Sequence, residues 1–311
     1  MTTAADVSRP EAWVIAARPQ TLPAAIAPVV VGTGLAVAHD VLAIGPAVAA
    51  LIGAALIQIG TNFANDYYDA VQGVDTPESE GFTRVTAAGL LAPETVRTAM
   101  IVTFGAAILV GTYLVYVGGL PILVVGLASV AAGIAYTGGP YPLGYHGFGD
   151  LFVFVFFGVI AVTGTYYVQA VTVLADPLPL WMPSHTAPPI AIVVSLPVAT
   201  LSTAILVVNN VRDLEEDRTA GKRTLAVRLG YTWSRIEFAG LLAVAYLVPP
   251  AMYVDGWNAT ILLPFATLPL AIWLLQTVAT HGDTEHLNPA LERTGMLLAG
   301  YAILFGVGLA L

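Results

Sequence analysis

Read along the chain, long apolar stretches alternate with short polar ones. Nine stretches read as helices, at roughly 20–39, 45–67, 95–117, 119–137, 149–173, 189–211, 234–254, 258–279 and 291–311. Each is close to the roughly 20 mostly apolar residues that a helix needs to cross a bilayer. The gaps are short, so successive helices must pack as neighbours. Gly and Pro inside several of them fit this reading, because neighbouring helices re-satisfy the backbone groups that they free. The pattern predicts an all-α fold: one multi-pass transmembrane domain, 1–311, built as a bundle of nine helices. The segment Met1 to Glu11 is polar and lacks the charged-then-apolar order of a cleavable leader, so the first apolar stretch reads as an uncleaved anchor.

Composition supports the lipid setting. Hydrophobic residues make up 57% of the chain and charged residues only 10%, against about 25% charged in soluble domains. With no cysteine, disulfides, thiolate nucleophiles and cysteine-held metals are excluded. Acids outnumber bases 20 to 11, and no basic face exists for a nucleic acid. Nothing calls for an obligate protein partner.

The position of the bases adds an orientation. With the N-terminus cytoplasmic, the inner segments are 1–19, 68–94, 138–148, 212–233 and 280–290. All eleven Lys and Arg fall in or within a few residues of them, whereas the opposite side carries only Asp40, Asp176 and Asp255. This asymmetry predicts a cell-membrane protein whose long loops, 68–94 and 212–233, face the cytoplasm. The Pro-rich outer loop 174–188 reads as a connector with Trp181 at the interface and His185 solvated.

Two acidic motifs stand at the cytoplasmic ends of the second and sixth apolar stretches. The first is Asn65-Asp66-Tyr67-Tyr68-Asp69, with Asp75 beyond; the second is Asn209-Asn210-Val211-Arg212-Asp213-Leu214-Glu215-Glu216-Asp217. Asp66 and Asp69 share a helix face, and Asn209, Asp213 and Asp217 are four apart and form one stripe. The Asn–Asp pairs recur 144 residues apart (65 to 209, 69 to 213), and each is followed by an Arg-, Thr-, Gly- and Leu-containing loop. This suggests two related halves, with motifs at 65–75 and 209–217.

Carboxylates beside hydrocarbon are costly and usually functional. Clustered carboxylates repel unless a cation joins them, and magnesium is held by one or two carboxylates plus phosphate oxygens. Arg84, Arg218, Lys222, Arg223 and Arg228 lie in the same loops and suit a polyanion. Acids and bases together read as a metal–diphosphate site. Glu78, Glu80, Glu94, Glu215 and Glu216 read instead as solvated loop charges.

NDYYDAVQGVD (65–75) and NNVRDLEEDRTAGKRTLAVRLG (209–230) resemble the two signatures of the UbiA-type intramembrane prenyltransferases. ARPQTLPAAIAPVVVGTGLA (17–36), RVTAAGLL (84–91) and YTGGPYPLGYHGFGDLFVFVFFGVIAVTGTYYVQ (136–169) resemble the branch that prenylates 1,4-dihydroxy-2-naphthoate in menaquinone biosynthesis. The resemblance implies nine helices around a central cavity with cytoplasmic cap loops and a lateral opening for the lipid tail. It implies Mg2+ and two substrates, a polyprenyl diphosphate and an aromatic acceptor that loses its carboxylate as carbon dioxide. On this reading Asp66, Asp69, Asp213 and Asp217 bind metal and are catalytic. Asn65, Arg84, Asn209, Arg218 and Lys222 bind diphosphate. Arg18, Tyr68, Tyr136 and Tyr141 are candidates for the acceptor, with Tyr67 beside them and His146 as a proton-transfer candidate. Many members carry a Tyr-x-x-x-Lys element; here Tyr136 is followed at that spacing by Pro140, so the base must come from elsewhere, Lys222 or Arg84.

Two other readings stay open at this stage. One is a relative acting on another ring, a glycerol-phosphate lipid, haem or a chlorin. The other is a cation-coupled transporter, although transporters place ionisable residues near the bilayer midplane and these acids lie at helix ends.

Overall fold

The computed structural model describes residues 7–72, 85–137 and 143–311, apart from the side chains of residues 69, 72 and 134–137. Arg84, Asp75 and Tyr141 lie outside the described residues, as do the side chains of Asp69 and Tyr136. All regular structure among the described residues is helical. In chain order the helices are α1 (Arg9–Ala17), α2 (Leu22–Ala38), α3 (Ile44–Gln72), α4 (Pro93–Thr137), α5 (Gly149–Leu174), α6 (Ile190–Arg212), α7 (Leu214–Thr219), α8 (Leu225–Val254), α9 (Ala259–Thr280) and α10 (Thr284–Ala310).

Among the described residues, eight helical stretches, the first running from Arg9 to Ala38 through α1 and α2, are long and apolar enough to cross a membrane. One of the eight, α4, is two spans in sequence: Gly119 is non-helical inside it, at φ 66° and ψ −155°. Only glycine adopts such a conformation cheaply. The break is held by backbone bonds from Leu120 N–H to Pro179 O and from Leu178 N–H to Tyr116 O. Nine spans result, and the expected boundary between 117 and 119 coincides with Gly119.

Elsewhere the helices outrun the apolar stretches. The segment 212–233, read from sequence as a loop, contains α7 and the first turns of α8, capped by Thr224, whose Oγ1 accepts from Val227 N–H. Helix α10 starts at Thr284 rather than at 291, with Asp283 accepting from His286 N–H. Hydropathy marks lipid contact, whereas backbone hydrogen bonding continues past the lipid for as long as a cap permits. The polar N-terminal segment also contains a helix, α1, closed by a reciprocal Ser8–Glu11 capping box.

Packing is centred on α2, which meets α3, α5, α6 and α10. Small residues make these contacts close. A Cβ on Gly34 would lie 2.4 Å from Gly306 O of α10, and one on Gly158 would lie 2.1 Å from Ala199 Cβ of α6. In lipid, where apolar burial no longer drives helix association, such backbone approach is a main source of packing energy. Tyr166, Leu201, Phe238, Tyr301 and Phe305 fill the interior. Ile101, Ile108, Leu109, Leu127 and Val130 of α4 are exposed and form an apolar outer face suited to lipid.

Candidate active site

The acidic residues stand near the C-terminal ends of α3 and α6 and in the short α7. Asp66 stands near the end of α3 and is fully buried. Its Oδ2 accepts from Val85 N–H at 3.3 Å, its backbone oxygen accepts from Thr86 Oγ1 at 2.8 Å, and its Oδ1 is 3.9 Å from Arg18 Nη2. Arg18 occupies the corner between α1 and α2 in the left-handed region, at φ 50°, and is itself buried. Helix α3 fixes that corner: Asn62 Nδ2 donates to Ala17 O and to Thr21 Oγ1, at 2.8 and 3.0 Å, and Gln58 Nε2 donates to Thr21 Oγ1. A buried arginine and a buried aspartate therefore neutralise one another, and a polar clamp sets their geometry.

Asn65 is exposed on the same helix. Tyr68 is half-exposed and packs edge-on to Tyr67, with ring centroids 5.2 Å apart.

The second motif is bent rather than straight. Helix α6 ends at Arg212; Asp213 leaves helical geometry at φ −91° and ψ 8°, and Asp217 belongs to the short α7. The four-residue step survives in the backbone through Asp217 N–H to Asp213 O, 2.8 Å. Arg212 forks onto Asp213, Nε to Oδ1 at 2.6 Å and Nη2 to Oδ2 at 2.8 Å. Asn209 bridges the pair: Arg212 Nη2 donates to its Oδ1 at 3.0 Å, and its Nδ2 donates to Asp213 Oδ2 at 3.2 Å. Arg212 Nη1 reaches Asn288 Oδ1 of α10 at 3.0 Å.

Asp217 is buried and accepts from Lys222 Nζ at 2.8 Å. Burial works against the charged ammonium, but the hydrogen bond and charge of Asp217 outweigh it, so the Lys222 pKa lies above the usual lysine range. Lys222 also lies over the Tyr145 ring, 5.3 Å from its centroid, while Arg223 N–H donates to Tyr145 O at 2.8 Å. Tyr145 and His146 belong to a one-turn 3₁₀ helix, Leu143–His146, that docks on this loop. Arg218 points elsewhere: its guanidinium is half-exposed and paired with Glu215.

Of the residues singled out from sequence, the structure thus joins Asn209 to Asp213, Asp217 to Lys222 and Arg18 to Asp66. Arg212, which lies inside the second motif, and Asn62, Gln58, Asn288 and Tyr145 complete these groups, and nothing beyond polarity marks the last four in sequence. Helix α10 links the two sides, since Asn288 meets Arg212 and a Cβ on Gly295 would touch Gln20 O, two residues past Arg18.

No three His, Asp or Glu among the described residues form a metal-ligand group by themselves. The donors available are nonetheless hard oxygens, from carboxylates and Asn amides, and they fit a hard divalent cation better than a soft one. Cations already balance them, with Arg18, Arg212 and Lys222 each paired to one aspartate.

Aspartates paired with Arg and Lys at the helix ends of an apolar membrane bundle place the chain among intramembrane proteins that keep charge at the lipid boundary. A profile described as the UbiA prenyltransferase family matches residues 25–299, and the chain belongs to that family. It is 38% identical over 299 residues to the 1,4-dihydroxy-2-naphthoate octaprenyltransferase of Mycobacterium tuberculosis, covering 96% of each chain. Its fold resembles the apo structure of a UbiA homolog from Aeropyrum pernix, with TM-score 0.68, 12% identity and coverage of 92% of this chain and 96% of that one. It also resembles a UbiA homolog from Archaeoglobus fulgidus bound to GPP and Mg2+, with TM-score 0.57, 14% identity and coverage of 94% and 99%. The chain is a membrane prenyltransferase.

Proposed function

We propose that this enzyme transfers a polyprenyl group from its diphosphate to 1,4-dihydroxy-2-naphthoate, releasing diphosphate and carbon dioxide. The observation that carries the acceptor is the near full-length similarity to the mycobacterial octaprenyltransferase. The diphosphate half has its own support in the Lys222–Asp217 and Arg212–Asp213–Asn209 groups.

Asp66, Asp69, Asp213 and Asp217 would hold Mg2+, in keeping with the ion bound in the Archaeoglobus homolog. When bound, that ion supplies Lewis-acid stabilisation of charge on the departing diphosphate. Lys222 and Arg84 would add fixed positive charge beside it, whereas Arg218 is turned to Glu215, and Asn65 and Asn209 would donate hydrogen bonds. The allylic C–O bond breaks with its electrons passing to the diphosphate. The electron-rich ring bonds to the allylic carbon, and the carboxylate leaves as carbon dioxide.

Arg18, Tyr68, Tyr136 and Tyr141 are our candidates for the acceptor. Arg18 serves a second purpose, holding Asp66 in place. Apolar helices exclude the water that would quench the cation and accommodate the lipid tail. The aspartate end faces the cytoplasm on this reading, because the Lys and Arg collect there.

The test is product identification by mass spectrometry, supplying 1,4-dihydroxy-2-naphthoate and prenyl diphosphates with and without EDTA. A decarboxylated, prenylated naphthoquinol formed only without EDTA is expected. A product from another acceptor alone would reject the reading.

A further inference from the structure

A cavity of about 460 Å³ lies beside the C-terminus of α2, and none of the residues assigned to prenyl transfer lines it. It lies below the start of α3, and Asp66 is 22 residues further along that helix, about 33 Å at 1.5 Å per residue. His39, Val41, Tyr166, Leu174, His185 and Pro189 line it, together with Ala187. His39 caps the C-terminus of α2, and its Nδ1 is 2.8 Å from Tyr166 OH. The Tyr166 ring stands edge-on to the imidazole, and Trp257 lies on its other side with ring centroids 6.4 Å apart.

The lining restricts what can bind. It contains no Asp, Glu, Lys or Arg, and its polar side chains are the two imidazoles of His39 and His185 and the Tyr166 phenol. Burial lowers the His39 pKa, which keeps its imidazole neutral at neutral pH. Nδ1 is engaged by the Tyr166 hydroxyl, which leaves Nε2 as the imidazole's other hydrogen-bonding atom, a donor or an acceptor according to the tautomer. Apart from His185, the remaining walls are aliphatic and prolyl. A few convergent polar groups in an apolar concavity of this size are the usual make-up of a small-molecule site. Such a lining suits an amphiphile that is neutral, partitions into lipid and carries an oxygen able to hydrogen-bond to an imidazole.

We infer that this cavity binds a lipid-soluble 1,4-naphthoquinone or its quinol, whose ring oxygen shares a hydrogen bond with His39 Nε2 and whose ring packs between Pro189 and Leu174. The choice of ring rests on the proposed reaction, which makes such a molecule in the same membrane. The requirement for a neutral, hydrogen-bonding amphiphile does not rest on it. Two sources share this chemistry, the enzyme's own ring-unmethylated product and a ring-methylated quinone of the surrounding membrane.

The test is quenching of tryptophan fluorescence, since Trp257 lies beside His39. The protein, in detergent and without substrates, is titrated with 2-prenyl-1,4-naphthoquinone and separately with its 3-methyl counterpart. Saturable quenching is expected, with affinity reduced fivefold or more in His39→Phe and in Ala187→Phe; the latter fills the cavity and leaves the His39–Tyr166 bond intact. Prenyl transfer should stay within twofold of the parent in both variants, which shows that they are folded. Tighter binding of the unmethylated probe assigns the site to product, and tighter binding of the methylated one to membrane quinone. Non-saturable quenching, or equal affinity in the parent and Ala187→Phe, would overturn the inference. Binding is read without turnover, so if the naphthoate reaction fails while the probes still compete for His39, the proposed reaction falls and the cavity site stands.

Discussion

Lys222 Nζ donates to Asp217 Oδ1 at 2.8 Å, and the two side chains differ sharply in exposure, 36% for the lysine and 8% for the aspartate. The carboxylate is thus fixed inside while the ammonium can turn outward. A lysine has three donors on a flexible stem, so it can keep one bond to Asp217 and offer others to a diphosphate oxygen. Tyr145 beneath it limits that swing to one side.

Lys222→Ala is therefore expected to raise KM for prenyl diphosphate by about 10-fold or more, from the roughly 1.5–3 kcal/mol of a charged hydrogen bond. KM for the acceptor should change by less than threefold. Steady-state kinetics with each substrate varied in turn checks this. An equal rise in both constants would mean that Lys222 only supports the loop. Arg218→Ala is the informative companion, because its guanidinium is turned to Glu215 at the surface; it should have a smaller effect.

The same pair sets an alkaline limit. The Lys222 pKa is raised in the folded protein by Asp217, so its contribution to stability is fully present below the unfolded value of about 10.4. That contribution fades as pH rises through the folded pKa. Thermal unfolding in detergent should show an alkaline fall in Tm that is shallower in Lys222→Met. An acidic shift in the variant's profile instead would point to a different titrating group.

Much of this arrangement was legible in the sequence, and the parts that were not share a cause. Apolar runs gave nine helices, with a boundary between 117 and 119 that falls at the Gly119 break in α4, because lipid demands continuous apolar segments. The extensions of α8 and α10 escaped notice because they are polar helix, held by Thr224 and Asp283 caps rather than by lipid. In the site, Asn209 and Asp213 could be paired by spacing because one helix carries both. Their partner Asn288 is 75 positions beyond Asp213, and Asn62 and Tyr145 act across helices, so no local spacing reveals them. Lys222 and Arg218 look alike in sequence; the six-residue α7 turns one inward and the other out.

Arg212 gives a test of the second motif. Its side chain is only 8% exposed and binds Asp213, Asn209 and Asn288 at once. Arg212→Ala leaves a partly buried carboxylate without its fork, a loss of about 2–3 kcal/mol. Arg212→Lys should recover only part of it, because an ammonium cannot span both oxygens. Melting of the two variants in one detergent, with and without Mg2+ and inorganic diphosphate, measures this. Should Arg212→Lys melt with the parent, the forked geometry does not matter.

The closeness of α2 to α10 makes the last prediction. A Cβ on Gly34 would stand 2.4 Å from Gly306 O and 2.8 Å from Gly306 Cα, both backbone atoms that cannot turn aside. Gly34→Ala must push the two helices apart, and overpacking of this kind costs about 1–3 kcal/mol. Gly105 of α4 has nothing within 4 Å of its Cβ position, and there alanine gains about 1 kcal/mol of helix propensity. The same substitution should therefore lower Tm at Gly34 and leave it unchanged or slightly raised at Gly105. Because α2 follows the Arg18 corner and α10 carries Asn288, the Gly34 variant should also lose prenyl transfer more steeply with temperature than Gly105→Ala. Matching melting curves for the two variants would show that the α2–α10 contact is looser than its backbone distances require.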